Sequence, residues 1–461
     1  MRRLLIAVLV LSFCLPISAQ LSFIEHTIVG NFDGACAVSA DDIDNDSDLD
    51  IVGAASNANL IGWWENDGQM NFEYRLVAQS YMAAISAVAI DIDDDDDSDI
   101  ISAAFMGDQI TLWENDGNQT FNEFPIDESF DGAEAVFIID LDSDGDLDIL
   151  GAAGFANEIC WWENDSNQIF LKHTIDNEFE YARDVYAIDM DGDLDIDVVS
   201  AANGSGEIAW WENDGEENFA KHIVSDDFVS AWSVCAADID NNGAVDIVGA
   251  SLEGDQIVFW ENAGNEVFEP NIITNSFDGA ASVEIADLDN NGHLDIIGAA
   301  AYDNQIICWL NNGNHTFTEF VISAYFYGAY YVTVCDLDSD GDTDMLGAAY
   351  YGDDITWWEN ELYIDIIESD DPLPSGFRLI GNYPNPFNGN TVIEYDLAKA
   401  SDVKLDIFDI LGRQVETIIN EIQPAGRYQI AWNAGKRPSG YYFYQLRAGQ
   451  YSATGRMVLL R

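Results

Sequence analysis

The stretch Asp140–Ala153, "DLDSDGDLDILGAA", places five aspartates in nine residues directly before a run of small and aliphatic side chains. Left unscreened, such a cluster repels itself and opposes the burial that the following residues require. Asp140, Asp142 and Asp144 fall on alternate positions, Gly145 follows, and Asp148 closes the series at position 9. Side chains at positions 1, 3, 5 and 9 of such a loop converge on one point, and position 7 offers its carbonyl. Glycine at position 6 permits a turn with φ > 0. Hard oxygen ligands in that number suit Ca²⁺ better than Mg²⁺ or a transition metal.

The loop is one of seven, spaced 49 residues apart without insertion or deletion. Its candidate ligands are Asp42, Asp44, Asp46 and Asp50 in the first copy, and Asp91, Asp93, Asp95 and Asp99 in the second. Asp140, Asp142, Asp144 and Asp148 form the third set, and Asp189, Asp191, Asp193 and Asp197 the fourth. Asp238, Asp240, Asn242 and Asp246 form the fifth, Asp287, Asp289, Asn291 and Asp295 the sixth, and Asp336, Asp338, Asp340 and Asp344 the seventh. Up to seven structural Ca²⁺ ions are therefore expected. Copies three and seven, with glycine at position 6, should bind best. Copies one and two carry Ser47 and Asp96 there, and copy four is irregular, with Leu194.

A tryptophan (Trp64, Trp113, Trp162 and onward to Trp358) and an alanine (Ala35 to Ala329) recur in the same register. Within each unit short apolar runs alternate with turns such as "NDG", a strong hairpin signal. Four strands per unit of 40–50 residues is the pattern of a propeller blade. A helical EF-hand would need flanking helices and a glutamate at position 12, and both are missing. The expected fold is all-β: a seven-bladed β-propeller followed by a small immunoglobulin-like β-sandwich. Two segments compete to complete the last blade, "FIEHTIV" (23–29) and "LYIDII" (362–367). The missing turn glycine in "WWENELY" favours the first, which would hide an exposed sheet edge.

Residues 1–19 read as a secretory signal peptide, with two arginines, an apolar core and small residues near Ala19. No later stretch is long and apolar enough for a transmembrane helix. The propeller is assigned to 20–363, a linker to 364–376 and the sandwich to 377–461. Residues 21–363 hold four lysines and arginines against 74 acidic residues, a formal −70 that makes nucleic acid a poor partner. Five cysteines, an odd number in different registers, read as buried free thiols.

In the C-terminal segment, "GNYPNPFNGNTVIEYDL", "VKLDIFDILGRQV", "AGRYQIAWN", "PSGYYFYQLRAG" and "GRMVLLR" resemble the sorting domain of type IX secretion cargo. The sequence departs from that pattern at Gly389, where proline is common. The resemblance implies a partner, the type IX secretion machinery, and a destination outside the cell or on its surface. The 49-residue units resemble FG-GAP/VCBS repeats over 23–360, which implies Ca²⁺-bearing blades and adhesion or ligand binding.

Neighbouring tryptophans such as Trp63 and Trp64 point to opposite faces of a strand, so packing between blades explains them. His26, His173 and His222 share one register in three different blades and cannot form a triad. After the recurring alanine the units carry Cys36, Ile85, Glu134, Arg183, Trp232, Ala281 and Tyr330, unrelated side chains at one geometric position. Three positions earlier stand Asp33, Met82, Asp131, Glu180, Val229, Asp278 and Tyr327. Glu180, Tyr181, Arg183, Trp232, Tyr327, Tyr330 and Tyr331 are the candidate ligand-binding residues, on the face opposite the aspartate loops. Aromatic platforms beside polar groups fit a glycan or a cell-surface protein. The expected role is non-catalytic binding, the alternatives being polysaccharide cleavage or an architectural surface component.

Overall fold

The computed structural model describes residues 21–361 and 377–459, less 94, 166–168, 265–266 and 314 in the first span and 384, 386, 388–389, 400, 410–412, 424–425 and 449–450 in the second. The expected signal peptide, the linker, Gly389 and the rival closing strand 362–367 lie outside the described residues. The chain divides into two units after Ile364. Among the described residues all regular structure is β.

In the first unit every 49-residue period folds into a four-stranded antiparallel sheet, giving seven sheets. The first contains Ala35–Asp41, Asp50–Ala55, Leu60–Asn66 and Phe72–Gln79 in sequence order. Each inner strand begins at the recurring alanine: Ala35–Asp41, Ala84–Ile90, Ala133–Ile139, Ala182–Ile188, Ala231–Ala237, Ala280–Ala286 and Ala329–Cys335. The second strand is buried along its whole length in all seven copies, which is why "DIVGAA" and its counterparts are continuously small or apolar.

The N-terminal strand Phe23–Val29 pairs antiparallel with Asp354–Asn360, with Phe23 opposite Asn360 and His26 opposite Trp357. It supplies the outer strand of the last sheet, so the two ends of the repeat array are held by one hydrogen-bond ladder. Phe32, Ile51 and Trp64 of the first sheet then share a buried cluster with Leu346, Ile355 and Trp357 of the last. A comparable apolar cluster fills each of the other six gaps between consecutive sheets, so the sheets close into a ring.

Paired tryptophans build these interfaces. Trp161 packs toward the fourth sheet together with Trp211, whereas its neighbour Trp162 packs toward the second. The tryptophan that recurs in all seven units, preceded by a second one in four of them, also meets an aromatic ring just before the inner strand, from Phe32–Trp64 to Phe326–Trp358. All seven pairs are T-shaped, with centroids 4.9–5.4 Å apart. A small residue is required beneath the indole: a Cβ added to Gly151 would stand 2.9 Å from Trp162.

The second unit holds a three-stranded sheet (Arg378–Tyr383, Asn390–Leu397, Gly426–Asn433) and a four-stranded one (Gln414–Gln423, Ser401–Asp409, Gly440–Ala448, Tyr451–Leu459). Ile393, Tyr395 and Trp432 from one share a core with Leu405, Tyr444 and Met457 from the other. Alternating apolar residues run through four of these strands, in "TVIEYDL", "VKLDIFD", "YQIAW" and "YYFYQLR". Arg378–Tyr383, Gln414–Gln423 and Tyr451–Leu459 do not show this alternation, because polar residues or bulges interrupt the apolar period.

Trp211→Ala should destabilise the first unit by about 3–5 kcal/mol, because the ring is buried between two sheets. Urea denaturation followed by circular dichroism measures this; a loss below about 1 kcal/mol would contradict the packing role.

Candidate metal loops and the central cavity

Each aspartate loop follows an inner strand and is folded by its own carboxylates. In the first loop Asp42 accepts hydrogen bonds from the Asp46 amide (3.0 Å) and the Ser47 amide (2.9 Å), and Asp46 accepts one from the Asp48 amide (3.0 Å). Position 1 accepts from the position-6 amide in copies two to six as well. These side-chain-to-backbone bonds form a nested turn and turn the carboxylates toward one another. Oxygens of Asp42, Asp44 and Asp50 lie within 4.8 Å of one another, as do those of Asp140, Asp142 and Asp148, and of Asp189, Asp191 and Asp197. In the second loop Asp91, Asp93 and Asp95 meet the same limit.

Position 6 takes a positive φ in all seven copies, whether glycine is present or not: Ser47 (78°), Asp96 (72°) and Leu194 (81°) adopt the turn of Gly145 (102°). Position 4 is also left-handed in the six copies where it is among the described residues, and the irregular fourth loop places its glycine there, Gly192 (83°). Leu194 thus keeps the loop shape, at a backbone cost of roughly 1–2 kcal/mol. Loops five and six replace the position-5 carboxylate with Asn242 and Asn291, whose amide groups donate to the Asn262 and Asn311 carbonyls.

Sequence reading missed the double role of position 9. Asp50 is buried and accepts from the Ile43 amide (3.1 Å) and the Asn66 amide (2.7 Å), tying the loop to the third strand. Asp148, Asp197, Asp246, Asp295 and Asp344 make the same two bonds. The asparagine that ends "WWEN" was missed too: Asn115 donates to the Ile43 carbonyl of the preceding sheet (3.1 Å), as Asn164, Asn311 and Asn360 do to theirs. Its recurrence every 49 residues was the available signal. The adjoining glutamates add negative charge, and Glu65 helps raise the Asp44 carboxyl after burial and Asp46.

The donor set fits a hard cation. Asp44 Oδ1 at position 3 and Asp140 Oδ1 at position 1 are buried without a hydrogen-bond partner, and in the first four loops the converging atoms are carboxylate oxygens, whereas Asp240 of the fifth converges with Glu261 and His315.

A cavity of about 310 Å³ lies along the inner strands and is lined by all seven. The variable residues Cys36, Ile85, Glu134, Arg183, Trp232, Ala281 and Tyr330 form one layer of it. Several of them are used up by each other. Arg183, 7% exposed, donates to Glu134 Oε2 (2.8 Å) and to the Tyr330 hydroxyl (3.0 Å), and its guanidinium lies 4.3 Å from the Trp232 ring centroid. Tyr181 hydrogen-bonds Glu134. Tyr331 lines the cavity, whereas Glu180 and Tyr327 are exposed at the surface outside it. The structure therefore brings Tyr181, Arg183, Trp232 and Tyr330 into one knot. Asp184 and Glu284 also line the cavity. Glu284 stands where the other units carry Ser39, Val88, Phe137, Tyr186, Cys235 and Thr333, so no recurring residue type marks its position.

Aromatic contacts run outward from this knot: Trp232–Tyr330 (6.1 Å), Tyr330–Tyr350 (5.5 Å), Tyr350–Tyr351 (5.3 Å) and Tyr351–Tyr327 (5.7 Å). They reach the turns opposite the aspartate loops, where Met82, Met106, Phe155, Val229, Tyr302, Tyr325, Tyr327 and Tyr351 are exposed. His26, His173 and His222 sit on separate sheets, each stacked on a tryptophan and hydrogen-bonded to Glu359, Glu163 or Glu212.

Six overlapping matches to the FG-GAP-like repeat model span residues 42–347, well over half of the sequence. The chain belongs to the FG-GAP-like repeat family. A secretion system C-terminal sorting domain matches residues 382–460, which marks this FG-GAP-like protein for export through the type IX system to the cell surface or beyond it. No curated protein is similar to it. Among solved structures, BBS1N in complex with ARL6DN shares the fold at 9% identity and a TM-score of 0.54, over 74% of this chain and 97% of that one. An Agrocybe aegerita lectin that recognises non-reducing terminal N-acetylglucosamine aligns at 17% identity and a TM-score of 0.46, over 86% and 99%. PorZ, a surface component of the type IX secretion system of Porphyromonas gingivalis, aligns at 11% and 0.46, over 94% and 60%.

Burial raises the carboxyls of Asp50, Asp99, Asp148, Asp197, Asp246, Asp295 and Asp344 from 3.8 to about 7, against the opposing pull of their amide partners. A folded pKa above the unfolded one means that the folded chain binds more protons between those values. The resulting stability is complete at low pH and is lost as the pH rises through 7. Metal-free protein should accordingly melt at a lower temperature at pH 8 than at pH 5.5 in a calorimetric scan. A melting temperature that is level or rising across that range would contradict these shifts.

Proposed function

We propose that this exported FG-GAP-like protein is a calcium-stapled, non-catalytic binding module whose ligand is a glycan or a cell-surface protein. Up to seven Ca²⁺ ions would be held by the position 1, 3, 5 and 9 side chains of the loops, from Asp42, Asp44, Asp46 and Asp50 to Asp336, Asp338, Asp340 and Asp344. Bound there, the ion supplies positive charge to an anionic turn. The loops' converging carboxylate oxygens and the partnerless Asp44 and Asp140 oxygens support this reading. Because each loop gathers its ligands from its own sequence, the ion's role is structural.

The observation that carries the binding reading is the exposed aromatic face. Tyr325 is 94% exposed, and Tyr302, Tyr327 and Tyr351 are each about half exposed around one side of the ring. Large aromatic side chains in that state lose contact with water only when something docks on them. The opposite side of the ring carries the aspartate loops, so the two faces differ in chemistry. Tyr327, Tyr330 and Tyr331, with Tyr181, Glu180, Arg183 and Trp232 behind or beside them, remain the proposed ligand-side residues, the knot acting as rigid backing for the tyrosines.

Glycan-array and surface-protein binding by the wild-type protein and by Tyr327→Ala/Tyr351→Ala tests this. The double variant should bind at least roughly tenfold more weakly with an unchanged melting temperature, since both rings are surface residues. Undiminished binding by the variant would overturn the assignment of this face.

A further inference from the structure

The central cavity carries a chemistry of its own, separate from whatever docks on the aromatic face. Its single cationic side chain, Arg183, is neutralised by Glu134 and covered by Trp232. Two more carboxylates line the same space, Asp184 and Glu284. Asp184 accepts from the Val185 and Val234 amides, 3.0 Å each, whereas the hydrogen bond found for Glu284 is to the amide of the next residue, Ile285. Burial, followed by the charge of Asp184, opposes ionisation of Glu284 and raises its carboxyl to about 7. A half-buried carboxylate with so little compensation favours the arrival of a cation.

The remaining walls define what kind of cation. Val88, Val136 and Phe137 line the space from the second and third sheets, beside the Glu134–Arg183 pair, and Asp184 and Glu284 line it from the fourth and sixth. Arg183 adds a third element, because its Nε is buried in the cavity wall with no hydrogen-bond partner. An unmet N–H donor calls for an acceptor oxygen on the occupant. The volume, about 310 Å³, is at the small end of ligand sites. The formal charge of −70 on the surrounding ring concentrates cations and repels anions.

We propose that the central cavity binds an aliphatic ammonium group carrying a carbonyl oxygen, the ammonium at Glu284 and Asp184, the carbon chain against Val88, Val136 and Phe137, and the oxygen at Arg183 Nε. A free amino acid amide and a lysine side chain within a peptide share this chemistry. A naked metal ion does not, since it would leave the apolar wall and the Arg183 donor unused.

Isothermal titration of the full mature chain in excess Ca²⁺, which occupies the loops and suppresses amine binding there, tests the proposal. The probes are lysinamide, an N-acetylated and C-amidated tripeptide with a central lysine, and the fully N-acetylated form of each as a neutral control. Lysinamide should bind one per chain, and the fully acetylated control should not bind. Glu284→Gln should weaken binding at least roughly tenfold, as expected for loss of a charge-assisted contact. Val88→Phe narrows the apolar wall without touching the acidic groups and should weaken binding as well, which keeps the test intact if the first variant folds poorly. Binding of the tripeptide alongside lysinamide assigns the site to protein partners; binding of lysinamide alone assigns it to a free metabolite. Equal heats for charged and acetylated probes, or equal affinity in wild type and both folded variants, would overturn the proposal. That result would leave the aromatic face untouched, because its tyrosines are not altered.

Discussion

Repulsion among aspartates is the constraint around which the repeat unit is organised. Each loop crowds its carboxylates into nine residues at the end of an inner strand, and the seven loops share one side of a closed ring. Part of the charge is met by backbone amides, which the position 1, 3, 5 and 9 carboxylates accept in a fixed pattern. Amides satisfy lone pairs without cancelling net charge. The four basic side chains of the ring cannot cancel it either: Arg75, Lys172, Arg183 and Lys221 are all paired with nearby acids. A divalent cation in the loop, as proposed above, would offset it, and the same loops position the asparagines that bind neighbouring sheets together.

The apolar and polar parts of the design are coupled at position 9. Its carboxylate begins the fully buried second strand and bonds to the asparagine amide that ends the third. That asparagine's side chain crosses to the preceding sheet in several copies. Loss of loop geometry therefore propagates beyond the loop, into the interfaces where Trp63-type and Trp64-type rings are packed. Stability of the ring and charge of the loops form a single problem.

Much of the architecture was legible because the repeat is strict. The period of 49, the "NDG" turns and the paired tryptophans translated directly into sheets and interfaces, and the turn chemistry of "WWENELY" pointed to Phe23–Val29 as the closing strand. The cavity was legible in part. The variable position after the alanine does line it, yet sequence variation could not show that Arg183, Glu134, Tyr330 and Trp232 bond to one another across the ring. Glu180 and Tyr327 belong to the outer face for the same reason: a period locates a residue along a strand, not its partners in other blades. Position 6 was overread. Glycine is the easiest residue there, but nested hydrogen bonds hold Ser47, Asp96 and Leu194 in the same left-handed turn.

The most direct test of the central claim is the melting temperature of the mature protein at neutral pH and low ionic strength, measured before and after exhaustive chelation and again after Ca²⁺ is restored. If cations relieve the carboxylate repulsion, chelation lowers the melting temperature by ten degrees or more, on the order of several kcal/mol, and Ca²⁺ restores it. An identical melting temperature in all three conditions would show that the loops need no cation and would contradict the account.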